Sequence, residues 1–332
     1  METRKVQVTG GSTYTVSLPK EWATENDVDS STTVEFHSEK DLLLLTPRTG
    51  DGRTEGTLDI SGLTDDHELT RAVMTMYVSG FDVINLETDR MTAKQRRTIR
   101  DATQGLVGLE VIEEMPNKMV LQDLLDSSEL SIKNAITRMR LVALTMLEDA
   151  VEALITDAEA LAQDVIERDD DVDRLWYMTS RVFRTVLRNP TAANEIGFSR
   201  ETCFDFQSSA RQLERIADHA TKIAELALEV SEIPENAAGP LQELLSEAAT
   251  VPETAMDALL AEDSSEAVEL AGQARGHVSV VDEKAREVDK EIHDFDPQLA
   301  QVIGLVIDSL SRTADYGTNI AESALQKAAP KP

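Results

Sequence analysis

The sequence predicts a multidomain chain: a small all-β unit, then a small α+β unit, then an all-α tandem of two three-helix bundles. Three observations lead there. A chain of 332 residues exceeds what one compact core accommodates. Its apolar period is two near the N-terminus, then alternates, then settles at the helical 3.6. Finally, Glu-Arg-Ile-Ala-Asp-His-Ala-Thr-Lys-Ile-Ala-Glu at 214–225 recurs at 311–322 as Ser-Arg-Thr-Ala-Asp-Tyr-Gly-Thr-Asn-Ile-Ala-Glu, which points to duplication of the C-terminal half.

Residues 1–48 read as short strands over Lys5 to Val8, Thr13 to Leu18, Thr33 to Phe36 and Leu42 to Thr46. Gly10-Gly11-Ser12, Pro19-Lys20-Glu21-Trp22 and a polar turn separate them. So small a β unit buries little alone and calls for a second copy. Thr49 to Gly56 reads as a linker.

Over residues 56–125 the periods predict a strand at Thr57 to Ile60, a helix at Asp66 to Val78, a strand at Asp82 to Leu86 and a helix at Ala93 to Leu106. Strands near Glu110 to Glu113 and Met119 to Leu121 complete this unit. Thr92 is the candidate N-cap of the second helix and Gly108 its stop. The unit holds no glycine loop or catalytic cluster and reads as a dimerisation or ligand-sensing module.

From Ser127 onward the pattern is helical, with breaks at Thr156, Asn189-Pro190, Ile233-Pro234, Ser264-Ser265 and Phe295-Asp296-Pro297. These give six helices, three in each of two repeats, 127–232 and 234–328, with proline kept to the boundaries. At about 100° per residue, Glu214, Asp218, Thr221 and Glu225 share one narrow stripe. Ile216, Ala217, Ala220, Ile223, Ala224 and Ala227 form a separate apolar face.

The formal net charge is −30, from 62 acidic and 32 basic residues, beside 41% hydrophobic residues. Intact apolar periodicity excludes disorder as the reading of so acidic a chain. The spread of the charge fits a salt-rich, halophilic cytoplasm in which screening tolerates self-repulsion. An acidic surface for a basic partner is the alternative. Cys203, the only cysteine, excludes an intramolecular disulfide and a cysteine-based zinc site. No leader-like start and no apolar run of about 20 residues is present, so a cytoplasmic protein without a membrane span is expected. No nucleophile elbow, phosphate-binding glycine loop, HExxH or Glu-x-x-His pair appears, so no enzyme is expected.

The sentence at 213–225, its echo, and three helices per repeat resemble the PhoU family of phosphate-signalling regulators over roughly residues 128 to 328. In that family each repeat carries an acidic residue, three intervening residues and an Asp, and members can bind metal clusters there. Carried onto this chain, the resemblance implies Glu214 and Asp218 in repeat one. In repeat two Asp315 is present but Ser311 takes the partner position. Asp308 shares the stripe of Asp315, where repeat one has Arg211, and Glu225 and Glu322 close the two motifs. The preceding helix of repeat one adds Asp169 and Asp173, one turn apart, whereas in repeat two only Asp282 persists. Repeat one is therefore the better candidate site, and its all-oxygen donors suit Mg, Mn or Fe over Zn. The alternative is ion pairing of Glu214 and Asp218 with Arg211 and Lys222, worth about 0.5 kcal/mol or less each. His219 points away from the carboxylate stripe and is expected to be partly exposed.

Ser12 to Trp22, Ser-Thr-Tyr-Thr-Val-Ser-Leu-Pro-Lys-Glu-Trp, followed by a hairpin ending Leu-Leu-Leu-Leu-Thr-Pro, resembles the AbrB and SpoVT swapped-hairpin domain. There two chains interleave strands and present basic residues to DNA. The matching positions are Arg4 and Lys5, on the first strand, and Lys20 after the proline. Acids follow at Glu21, Glu25, Asp27, Asp29 and Glu35, so few phosphate contacts are available and a domain that only dimerises is the alternative. Together the resemblances imply a phosphate-responsive regulator, a homodimer or higher even oligomer, binding promoter DNA. The alternative they leave is an adaptor acting on a phosphate ABC transporter or its regulatory components by protein contact.

Overall fold

The structure, a computed structural model, describes residues 3–39, 42–47, 53–125, 131–230, 233–292 and 295–330. Ser127, the boundary at residue 232 and half of the expected linker, residues 49–52, lie outside the described residues; at the linker's other end Glu55 and Gly56 are strand and not linker, because they pair with Val83 and Ile84. The chain divides into two compact units, Met1–Arg53 and Thr54–Pro332.

In the first unit β1 (Gln7–Thr9) and β2 (Thr13–Thr15) form an antiparallel hairpin. Its turn uses Gly10 and Gly11 at φ of 63° and 83°, a region that L side chains rarely adopt. Pro19 caps a short helix α1 (Lys20–Glu25), where a plain separator is expected; its fixed φ suits the residue entering a helix. A second hairpin pairs β3 (Val34–Glu39) with β4 (Leu42–Pro47). Val8, Tyr14, Phe36, Leu42 and Leu43 are all exposed on this unit, Tyr14 by 77% and Leu43 by 60%.

The second unit opens with β5 (Glu55–Asp59), α2 (Asp66–Val78), β6 (Val83–Glu87), α3 (Ala93–Gln104), β7 (Leu109–Glu114) and β8 (Lys118–Asp123). The sheet order is β5-β6-β8-β7, with β5 and β6 parallel and the other neighbours antiparallel. Leu69, Val73 and Tyr77 of α2 and Ile99 of α3 bury against Ile84, Leu86, Met119 and Leu121. Thr92 does cap α3: its hydroxyl accepts from Gln95 N at 3.1 Å while Gln95 Oε1 accepts from Thr92 N at 3.0 Å. The helix stops at Gly105, three residues before Gly108, which instead turns the chain into β7 at φ 79°.

Among the described residues seven helices follow: α4 (Ile132–Thr156), α5 (Glu159–Arg188), α6 (Pro190–Ile196), α7 (Arg200–Glu229), α8 (Glu235–Leu260), α9 (Ser264–Glu291) and α10 (Pro297–Ala328). Ser131, Ser199, Asp263 and Asp296 supply side-chain N-caps, and Asp157 ends α4 in the left-handed region at φ 53°. The six long helices match the expected breaks; the short α6 at Asn189-Pro190 is an addition. Proline is not confined to boundaries, because Pro240 and Pro252 lie inside α8. A proline there forfeits one helical hydrogen bond, which buried packing of α8 offsets.

Helices α4, α5 and α7 form one triplet and α8, α9 and α10 the other. They meet chiefly through α7 against α10, the two helices that carry the echoed sentence, and share one continuous core. Every residue of the expected apolar face, from Ile216 to Ala227, is buried in it. Among the described residues no helix is long and apolar enough to cross a membrane.

Candidate functional site: an acidic seam between α5 and α7

Helix α5 brings Asp169 and Asp173, one turn apart, beside Glu214 and Asp218 of α7. Their proximity follows from the packing of α5 on α7 and from the apolar faces that fix each helix's rotation. Four like charges cannot all ionise freely there. Burial, then the charges of Asp173 and Asp218, push the Asp169 carboxyl up to about 6. The Thr221 hydroxyl offsets this slightly, although it makes no well-formed hydrogen bond.

Burial, then Asp218, raises Glu214 to about 7 in spite of Arg211. Glu214 is only 8% exposed. Its Oε1 accepts from Arg211 Nη1, whose guanidinium lies 5.3 Å over the Trp176 ring. Its Oε2 is buried without a hydrogen-bond partner, a costly state for an ionised carboxylate. Asp173 is raised by burial and by Asp218, and receives the Tyr177 hydroxyl at 3.4 Å. Burial and the seam's charges push the Tyr177 phenol up to about 12.

The seam is therefore short of positive charge and carries an unsatisfied oxygen donor. Its chemistry suits a hard cation or a cationic side chain. The carboxylates do not form a closed cage: among the described residues no three His, Cys, Asp or Glu side chains are grouped closely enough to hold a metal ion.

Not every expected residue joins the seam. Asp218 belongs to the seam, at its exposed rim, whereas Glu225 is exposed and adds to none of these shifts. In repeat two Asp308 and Asp315 are exposed and flank Arg312 at 4.0 and 3.3 Å, and Glu322 is exposed. Solvated pairs of that kind contribute little. Arg4, Lys5 and Lys20 are exposed on the first unit; Arg4 and Lys5 precede β1 and do not lie on it, because pairing begins at Gln7.

His219 is buried, contrary to the exposure expected from its helical angle. The face opposite the seam is covered by α10: Tyr316 Oη lies 3.4 Å from His219 Nε2, and Asn319 Nδ2 donates to Gln212 Oε1 at 3.1 Å. Burial pushes the imidazole down to about 4, so it is neutral near pH 7. A single-helix projection does not show that the echo helix itself is the cover.

A second cluster has no counterpart among the expected residues. Arg181 of α5, 4% exposed, donates from Nε to Asp123 Oδ2 at 2.8 Å and from Nη2 to Asp82 Oδ1 at 3.0 Å. Its Nη1 donates to the carbonyls of Tyr77 and Phe81 at 2.8 and 2.9 Å. One turn away, Tyr177 touches both Asp173 and the core of the sheet layer. The layer is thus bolted to the helix that lines the seam. In the sequence Arg181 lies at helical spacing from Arg174, Arg184 and Arg188, so the pattern of this one helix does not single it out.

A family model described as PhoU domain matches residues 136–227, and one described as antidote-toxin recognition MazE, bacterial antitoxin, matches residues 7–52. The chain is 25% identical over 203 residues to a phosphate-specific transport system accessory protein PhoU homolog of Thermotoga maritima, covering 58% of this chain and 84% of that one. It is 28% identical over 185 residues to the homolog of Pseudomonas aeruginosa, covering 53% and 73%. The crystal structure of PhoU from Pseudomonas aeruginosa superposes with a TM-score of 0.51 at 24% identity, over 58% of this chain and 93% of that one, which shows a common fold.

Proposed function

We propose that this chain, a PhoU-family protein with a MazE- and AbrB-like swapped-hairpin domain at its N-terminus, regulates phosphate uptake, and that it does so as a DNA-binding transcriptional regulator. The observation that carries this reading is the joining, in one chain, of a bundle matched by the PhoU domain to an N-terminal segment of a DNA-associated hairpin type. Relatives of the bundle are named as accessory proteins of phosphate-specific transport.

In this reading two copies interleave their N-terminal hairpins. Val8, Tyr14, Phe36, Leu42 and Leu43, exposed in the single chain, support it, because a monomer rarely leaves so much apolar surface in one small unit. Arg4, Lys5 and Lys20 contact DNA phosphates. A divalent metal or iron (Mg, Mn or Fe) would be held at the seam only if Asp169, Asp173, Glu214 and Asp218 draw closer together than they stand in the single chain. A bound ion would supply the positive charge the seam lacks. Arg181 and Tyr177 then tie the state of the seam to the sheet layer. Regulation follows if the effector binds the two dimer geometries with different affinity.

The test is chromatin occupancy of the full-length protein in phosphate-rich and phosphate-starved cells, beside a variant with Arg4, Lys5 and Lys20 replaced by Ala. Peaks at phosphate-transport promoters that shift with phosphate and vanish in the variant are expected. Background occupancy in every condition would overturn the DNA reading. The names of the bundle's relatives favour a second reading, an adaptor that regulates a phosphate transporter by direct contact while the N-terminal domain only dimerises. Phosphate uptake that stays normally regulated in the triple variant supports it.

A further inference from the structure

Between residues 90 and 100 the chain reads Arg-Met-Thr-Ala-Lys-Gln-Arg-Arg-Thr-Ile-Arg, five basic residues and no acid, inside a protein of net charge −30. The structure places this segment at the start of α3 and along its outer side. Arg90, Lys94, Arg97 and Arg100 are exposed, while Gln95, Thr98, Ile99 and Ala102 turn into the sheet layer.

Two of the cations are free: among the described residues Arg90 and Arg97 make no hydrogen bond or ion pair. Arg96 and Arg100 share one carboxylate, Glu114, so that pair keeps a surplus positive charge. Arg96 is also fixed by donating to Glu114 Oε1 at 2.6 Å and to the Met115 carbonyl at 2.8 Å. Beside it opens a cleft of about 400 Å³ lined by Arg90, Met91, Arg96, Glu114, Met115 and Pro116. Only Lys94 is matched one to one, with Asp66 at 3.0 Å.

We infer that the outer face of α3 is a nucleic-acid contact surface, taking the phosphates of duplex DNA on Arg90, Lys94, Arg97 and Arg100. This rests on the DNA-binding reading above and adds to it a second place of contact. Charge complementarity selects the partner. A polyanion is repelled by most of so acidic a chain and is accepted only where basic residues are concentrated. Arginine outnumbers lysine four to one here, and its planar fork suits phosphate oxygens. A membrane surface fits less well, because an interfacial helix must turn an apolar face outward and α3 buries its own. The second contact also answers a deficit: three N-terminal cations release few counterions, and each further phosphate contact steepens the salt dependence that holds DNA.

The test uses the full-length protein and a fluorescent DNA duplex, with anisotropy titrations over roughly 0.05 to 0.5 M salt. Replacing Arg90 and Arg97 together by Ala should lower the slope of log affinity against log salt by about 2 in magnitude. Affinity at low salt should weaken on the order of tenfold. Arg90→Lys with Arg97→Lys should keep the slope. Both sites are exposed, and unchanged helical circular dichroism in the two variants guards against misfolding. The triple variant at Arg4, Lys5 and Lys20 separates the proposals. Unchanged slope in the α3 Ala variant with binding lost in the triple variant overturns the α3 surface and leaves the DNA reading standing. Binding lost in the α3 variant and kept in the triple variant supports the surface and removes the hairpin's role. No binding by the wild type at the lowest salt overturns both, and an acidic protein then becomes the partner that the surface fits.

Discussion

Gly317 of α10 lies directly against Pro252 of α8: a Cβ at position 317 would stand 2.6 Å from the Pro252 nitrogen and 2.9 Å from its Cα. The echoed sentence has Ala220 at the corresponding place in repeat one. Glycine in a helix interior costs about 1 kcal/mol relative to alanine, so its presence here reflects the close approach of two backbones. Gly317→Ala should therefore lose more through overpacking, about 1–3 kcal/mol, than it gains in helix propensity. Thermal unfolding should show a net fall in the midpoint, whereas Ala220→Gly should be destabilising through propensity and lost packing. A rise in the midpoint of Gly317→Ala would mean that α8 yields without cost.

Removal of Arg181 leaves Asp123, whose side chain is 8% exposed, without its cation. Breaking a buried pair from one side costs about 3–5 kcal/mol. Arg181→Ala should accordingly loosen the sheet layer from α5 before the bundle itself unfolds. Hydrogen exchange should rise selectively across α2 and β8, and exchange unchanged there would refute the bolt.

Seam and core titrate in opposite senses. Asp169 and Glu214 have folded pKa values raised to about 6 and about 7, so the stability they contribute is complete below about pH 4 and is lost as pH rises through 6 and 7. His219 has a folded value lowered to about 4, so its contribution is present above about 6.5 and is lost as pH falls toward 4. Without added cation, the carboxylates should lower stability progressively between about pH 4 and 7, a loss that the histidine's gain between about pH 4 and 6.5 only partly offsets. Glu214→Gln should flatten that decline, and His219→Gln should remove the offset. Denaturant midpoints across pH check both.

A cation on the seam should reverse this behaviour in repeat one alone. Mn or Mg should raise the thermal midpoint at pH 7.5 more than at pH 5, because a ligand of the folded state stabilises it and protons compete for the same carboxylates. Asp169→Asn with Glu214→Gln should abolish the effect. Asp308→Asn with Asp315→Asn should leave it intact and change stability by about 0.5 kcal/mol or less, since both acids are exposed. Equal loss in the two double variants would contradict the asymmetry.

Much of this was legible in the sequence because it depends on one helix at a time. The apolar face from Ile216 to Ala227, the Thr92 cap and the six long helices follow from period and capping chemistry. The divergence of the two acidic stripes was also legible, in Ser311 for Glu214. What escaped depends on two elements meeting. His219 is buried because α10 covers it, Pro252 is tolerated where α8 and α10 interlock, and Arg181 has meaning only once the sheet layer docks on α5. The helix α1 was hidden for a different reason, since six residues are too few to display a period.

The core running without interruption from α4 to α10 means that duplication has not left two self-sufficient modules. Either half made alone would expose the wall that α7 and α10 give each other. A chain severed between the repeats should therefore behave as two complementary fragments, each poorly folded by itself and each completed by the other.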